Sequence, residues 1–510
     1  MRRAVTAGVL SLSLLGAYAA ADVYDLVPGV LTRDRPTPPP PAATPSGPAP
    51  TLVPLPTLAD AKALLAGLPT DAPLPTKAGL ERSLAAALGA PALGSDIGVS
   101  IRDARTGQEL YAVGTAQPRV VASTAKILTA AAVTQTLDLN AVMTTRVVRS
   151  GDRDLTLVAG GDTLLGRNAG DPDSAAGHAG LGDLADQVVA ALGLSAGPSG
   201  GPATGSTQTG ATSSRGSSVA SGADPAGDGL PWTLRLDATY DAGAALPPGW
   251  NPADVAAGYT QGVHMIGLAA QRPRPGEPSP ADPGASALAA LADRLHERGL
   301  DVTVADSPQS RRTPAPAGAA VLGTVDSAPY REVLATALDE SDNALTENLA
   351  RQAAMKAGGD GSFSTNTAYV TKTLRDLRFD LAGTRLLDTS GLTYGQTATV
   401  ALLSDVVARA RTGALPGLAD VLAKLPVAGL DGTLHDRFLD KPASSAAGIA
   451  RAKTGTLTGA SALLGTTVDA DERELDFVIV ADSVPPASGT WAARAALDRF
   501  VADLTGCGCR

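Results

Sequence analysis

Apolar and polar positions alternate where the chain first becomes patterned. Ile97, Val99 and Ile101 are interleaved with polar or small residues, Arg105-Thr106-Gly107 supplies a turn, and Leu110 with Val113 continues an apolar face. A period of two interrupted by a turn predicts a β-hairpin. From Ser123 to Leu137 the spacing changes, with Ile127, Leu128 and Ala131 recurring at helical intervals. Helices are also expected from Tyr330 to Glu340 and from Ala344 to Ala354, and an amphipathic closing helix from Trp491 to Leu504. Ala460 to Val468 and Leu475 to Val480 read as strands, and an edge-like strand is expected to begin at Lys453 and run through Gly465. Strands toward both ends with helices between predict one antiparallel sheet built from both halves of the chain. The material between them, about 138–325, is then an insertion.

Composition marks the breaks between these patterns. Positions 34–56 are dominated by proline with Ala, Ser and Thr, a composition that favours extended polyproline II and a semi-rigid spacer. Positions 195–229 are almost entirely Gly, Ser, Thr, Ala and Pro, which reads as a flexible insertion. A third Pro-rich patch, Arg272 to Pro283, reads as a loop. At the start, Arg2-Arg3 precede an uncharged run from Ala4 to Ala21 that ends in small residues. This is the layout of an export signal, with an uncleaved membrane anchor as the other reading of the same run. Placement is therefore expected outside the cytoplasm, in the wall or tethered at the outer face of the membrane.

The net charge of −10 argues against nucleic acid, whose binding requires clustered Lys and Arg. The four histidines, at 178, 264, 296 and 435, include no His-Glu-x-x-His, so a zinc peptidase is not expected. Cys507 and Cys509 stand at the C-terminal end and read as a dispensable tail able to oxidise.

Three strings carry the chemistry: Ser123-Thr124-Ala125-Lys126, Ser341-Asp342-Asn343 and Lys453-Thr454-Gly455. Residues i and i+3 share a helix face, so the Lys126 amine can reach the Ser123 hydroxyl. A lysine acts as base only if its pKa falls, through desolvation or a second cation, for which Lys453 is the candidate. Ser341 is suited to pass a proton to a leaving amine, and Asn343 to hold a substrate amide or Lys126. Lys453 offers a fixed positive charge and Thr454 a hydroxyl for a substrate carboxylate. Gly455 offers bare backbone along which a ligand can lie. Backbone N–H groups of Ser123 and Thr456 are candidates for an oxyanion hole.

Each string also has a plain structural reading as a helix cap, a turn or a solvated strand lysine. Together and in order, they are the set shared by serine β-lactamases and penicillin-binding proteins. The long gap from Ser123 to Ser341 exceeds what a single compact β-lactamase domain holds and suits a fold with an insertion after the nucleophile helix.

The chain thereby resembles the low-molecular-mass class C penicillin-binding proteins, the D-alanyl-D-alanine carboxypeptidase/endopeptidase family (peptidase family S13). The similarity extends to Gly160-Gly161-Asp162-Thr163-Leu164, Ser341 to Leu349, Asp388-Thr389-Ser390-Gly391-Leu392, Leu425 to Leu434 and Ala452 to Thr458. It departs at Thr163, where Pro is usual, at Thr389, where Gly is usual, and at Asp482, where Asn is expected near the strand end. The resemblance implies an α/β (α+β) fold: a β-lactamase/transpeptidase-like domain, antiparallel sheet flanked by helices, interrupted by one or two small inserted domains. The expected layout is 1–21 signal or anchor, 22–56 linker, 57–137 and 326–506 transpeptidase-like domain, 138–325 insert and 507–510 tail.

It further implies Ser123 as acylated nucleophile, Lys126 as its base, and Ser341, Asn343, Lys453 and Thr454 in support. The expected substrate is the peptidoglycan stem peptide, with β-lactam antibiotics as covalent inhibitors and no metal or organic cofactor. A serine β-lactamase or esterase on the same fold, and a non-catalytic wall-binding protein, are the alternatives.

Overall fold

The computed structural model describes residues 68–194 and 230–509, except 242, 306 and 312. The leader, the Pro-rich spacer and the Gly/Ser-rich segment 195–229 lie outside the described residues.

Helix α1 (Lys77–Leu88) starts on Thr76, whose hydroxyl accepts from Gly79 N at 3.0 Å. Strands β1 (Ile97–Asp103) and β2 (Glu109–Val113) form the expected hairpin, with Val99 opposite Val113. Its turn is held by Asp103 Oδ2, which accepts from Thr106 N at 3.0 Å, and by Gly107 at φ 72°. A 3-10 turn, Ala122–Ala125, then leads into α2 (Lys126–Thr136), so Ser123 sits one turn ahead of the regular helix.

A second sheet follows. Strands β3 (Thr144–Arg149) and β4 (Asp154–Val158) precede α3 (Leu181–Ala191). Next come β5 (Trp232–Asp237), α4 (Pro283–Glu297), β6 (Val302–Val304) and β7 (Ala320–Asp326). The sheet order is β6-β5-β4-β3-β7, with β4–β5 and β5–β6 parallel and the other pairs antiparallel. Leu184 and Val188 of α3 and Leu288, Leu291 and Leu295 of α4 fill a core of their own with Leu155, Leu157, Leu234 and Leu236.

The chain then returns through α5 (Tyr330–Asp339), α6 (Asn343–Lys356), α7 (Phe363–Asp376), α8 (Val400–Arg411) and α9 (Pro416–Leu422). It ends in strands β8 (Arg451–Leu457), β9 (Ala460–Val468) and β10 (Glu474–Ala481), then helix α10 (Gly489–Thr505). The expected strand from Lys453 through Gly465 is in fact two strands of a hairpin. Gly459, at φ 82°, makes the reversal that any side chain would disfavour.

The order β8-β9-β10-β1-β2 is antiparallel throughout, so the sheet does join both halves of the chain. Its central strands are buried on both faces, hence their continuous apolar runs. Leu464, Val478 and Val480 face a core with α2, α6 and α8, while Leu463, Phe477 and Ile479 face α1 and α10. The last residues do not form a loose tail. Cys507 and Cys509 are buried in that second core, joined as a disulfide, and Cys509 O accepts from Thr76 N at 2.6 Å. No helix among the described residues is long and apolar enough to cross a membrane.

Candidate active site

Lys126 opens α2 completely buried, and its Nζ lies 3.0 Å from Ser123 Oγ. The same nitrogen donates to Asn343 Oδ1 and to Ser390 O, each at 2.6 Å. Burial lowers its pKa to about 8, against the opposing pull of Asp388, Asp342 and Glu347. Desolvation is thus the leading cause, and the effect of one cation on the other falls on Lys453. Lys453 is also fully buried, and burial together with Lys126 drives its pKa well below the ordinary lysine value. Its Nζ donates to Ser341 Oγ and Thr454 O, both at 2.8 Å. Thr454 Oγ1 in turn donates to Thr433 Oγ1 at 3.1 Å. The three strings therefore meet around two buried amines and two serine hydroxyls.

Two residues of this cluster hold backbone angles that L side chains rarely adopt. Ala122, just before Ser123, has φ 47°, and Ser341 has φ 54°. Each such residue costs on the order of 1–3 kcal/mol and persists only where the surroundings dictate it. For Ala122 the surroundings are close packed: a Cβ on Gly391 would lie 2.1 Å from Ala122 O. Gly455 is explained in the same way. Its missing Cβ points at Val121 O, 2.8 Å away, so the glycine admits the nucleophile turn against β8.

Behind Lys126 lies a buried acidic layer to which no role attaches in the sequence. Asp388 accepts from Gly391 N at 2.7 Å, Thr393 N at 2.6 Å and Trp250 Nε1 at 2.9 Å. Burial opposes its ionisation, yet bonds from Thr393, Trp250 and Gly391 outweigh it and hold the carboxyl below the usual range. Glu347 behaves oppositely, pushed up to about 8 by burial and by Asp388. Thr389, the departure from the family pattern, donates its N–H and hydroxyl to Glu347 at 2.7 and 2.6 Å. The departures at Thr163 and Asp482 are also engaged. Arg272 bonds both Thr163 and Asp342, and Asp482 pairs at 3.0 Å with Arg119, a buried guanidinium preceding the nucleophile turn.

The region before α4 also reaches the site, since Asn343 Nδ2 donates to Tyr259 O at 3.2 Å. A cleft of about 440 Å³ opens beside Ser341 and Asn343, bordered by Tyr259, Arg272, Arg274 and Glu340. Thr456 is exposed on the outer part of β8. Among the described residues no group of three or more His, Cys, Asp or Glu is placed to hold a metal ion.

The D-Ala-D-Ala carboxypeptidase 3 (S13) family model matches residues 80–195 and 269–504. It leaves out the stretch that supplies Trp250 and Tyr259. Carboxypeptidase DacB of Mycolicibacterium smegmatis is 34% identical over 451 residues, 87% of each chain. D-alanyl-D-alanine carboxypeptidase of Actinomadura is 31% identical over 440 residues, covering 79% of this chain and 80% of its own. The fold matches penicillin binding protein 4 of Haemophilus influenzae with a TM-score of 0.60 at 18% identity, over 84% of this chain and 98% of that one. Motifs scattered across the sequence, their convergence on one buried cluster and a family match covering the first sheet and all of the second but β5 agree: this chain belongs to the D-Ala-D-Ala carboxypeptidase 3 (S13) family.

Proposed function

We propose that the protein is a serine-type D-Ala-D-Ala carboxypeptidase/endopeptidase acting on peptidoglycan stem peptides through an acyl-enzyme on Ser123. The observation that carries this reading is a desolvated Lys126 amine 3.0 Å from the Ser123 hydroxyl. Lys126 takes the hydroxyl proton as Ser123 Oγ bonds to the carbonyl carbon of the penultimate D-Ala. The N–H groups of Ser123 and Thr456 receive the developing oxyanion. The C–N bond then breaks as Ser341, bonded to Lys453, passes a proton to the leaving amine and is resupplied with the proton that Lys126 took from Ser123, which leaves Lys126 neutral again. Lys453 and Thr454 anchor the terminal carboxylate. Water, deprotonated by Lys126, finally cleaves the ester.

Asn343 fixes the base, because its side chain bridges Lys126 and Tyr259 O. Residues 57–137 and 326–506 form the transpeptidase-like domain of this proposal, with 138–325 inserted. The leader and Pro-rich spacer support action outside the cytoplasm, secreted or tethered.

The test is labelling with a fluorescent penicillin and mass analysis of products from defined muropeptides. Native protein is expected to label and to release D-alanine or split crossbridges. Ser123→Ala is expected to abolish both, and Lys126→Ala to slow acylation by on the order of 10²–10⁴. Labelling that persists in Ser123→Ala refutes the nucleophile. Rapid turnover of penicillin favours the β-lactamase alternative.

A further inference from the structure

A second pocket lies on the sheet face that carries Lys453, farther back along the strands. Arg451, Thr466 and Asp476 stand opposite one another across β8, β9 and β10, so their side chains share that face. Above them a partly open cavity of about 200 Å³ is bordered by α8 and α9, with Val407, Leu422, Leu425 and Leu464 as apolar walls.

Its polar groups are unusual for a protein interior. Asp476 is 4% exposed, and neither carboxylate oxygen accepts a hydrogen bond among the described residues. The nearest cation, Arg411, stands off at 3.6 Å from Nε to Oδ1 while its Nη2 is taken by Glu474. Arg451, on the opposite wall, forms no ion pair among the described residues; its Nη1 reaches only Leu425 O, at 3.4 Å. A buried carboxylate without donors is strongly unfavourable unless something supplies them.

The missing partner has a definite chemistry. It brings N–H donors and positive charge to Asp476, an anionic oxygen to Arg451, and apolar atoms between. The volume corresponds to roughly seven waters at about 30 Å³ each, room for a molecule of about that many non-hydrogen atoms and far too little for a peptide. We infer that this cavity binds a small aliphatic α-amino acid as its zwitterion, with the ammonium on Asp476 and the carboxylate on Arg451. Among such molecules D-alanine is the one that the proposed peptidase reaction releases. That choice rests on the proposed function, whereas the amino-acid class rests on the cavity alone. Burial also pushes Asp476 up to about 7, so an arriving ammonium supplies the charge that keeps it ionised.

Equilibrium dialysis of the full-length protein with radiolabelled D-alanine, glycine and L-alanine tests this, using the Ser123→Ala variant beside the native chain. One saturable equivalent of at least one of the three is expected, equally in both proteins, which separates this site from the active-site serine. Asp476→Asn and, independently, Arg451→Gln are each expected to weaken binding at least tenfold while the circular dichroism spectrum is unchanged. Ethylamine and propionate, each lacking one charge, are expected to compete at least tenfold less well. Absence of saturable binding, binding unchanged in both variants, or equal competition by either half-molecule overturns the inference. Absence of peptidase activity in the native protein with binding intact refutes the proposed reaction and leaves the cavity's assignment standing.

Discussion

Asp476→Asn also makes a stability prediction that needs no ligand. Burial raises the Asp476 pKa from 3.8 to about 7, so the folded state binds this proton more tightly than the unfolded chain. Stability from this group is therefore full below pH about 4 and is lost as pH rises toward 7, the reverse of a salt-bridged carboxylate. Integrating between the two pKa values gives a penalty of about 2 kcal/mol at pH 5 and about 4 kcal/mol at pH 8. Asparagine keeps the shape and cannot ionise. Its own cost as a buried amide, about 1–3 kcal/mol, does not change with pH. The difference in unfolding free energy between Asp476→Asn and the native protein is thus expected to move by about 2–3 kcal/mol in favour of the variant from pH 5 to pH 8. Urea denaturation followed by tryptophan fluorescence at both pH values measures it. Other buried acids, Asp162 and Glu347 among them, titrate in both proteins and cancel. A difference that stays constant within about 0.5 kcal/mol, or that moves toward the native protein, refutes the reasoning.

Three further changes probe the site's supports. Gly455→Ala places a methyl 2.8 Å from Val121 O. It should lower stability by about 1–3 kcal/mol and slow penicillin acylation, read by denaturation and gel fluorescence; unchanged acylation would refute the packing role. Thr389→Val leaves Glu347 Oε2 without its hydroxyl donor and should cost about 1–3 kcal/mol by the same denaturation assay. Truncation after Gly506 removes Cys507, Cys509 and the carbonyl that holds Thr76. It should lower the melting temperature by several degrees in calorimetry, whereas a dispensable tail would leave it unchanged.

What the sequence discloses follows from the range of the forces involved. The β1–β2 hairpin and the closing helix are local patterns, written by neighbouring residues, and appear where the periodicity puts them. The reversal at Gly459 is hidden because apolar residues continue on both sides of it. The second sheet is legible only as an insertion, because its parallel pairs join segments separated by helices. The reacting groups can be found because Ser123 and Lys126 share one turn and the other strings have fixed composition. Glu347 and Asp388 stand inside quoted motifs, yet their weight comes from burial, which depends on chain segments far away. Trp250 and Tyr259 carry no signal at all, since what they touch is a side chain and an amide on other elements.

The sheet that unites both halves of the chain also sets an order of events in folding. Strand β1 has Ile97 opposite Ala481 of β10, so the central strand pairing closes a loop that contains nearly everything else. Contacts of such sequence separation form late, because the entropy of closing the loop must be met before pairing returns any free energy. Strand β8, which carries Lys453 against the Ser123 turn, reaches its place through β9 and β10. An incomplete chain emerging during synthesis would carry Ser123 and Lys126 without the strand that completes the site. Topology thus acts as a timer: the nucleophile is armed only once the whole polypeptide has arrived.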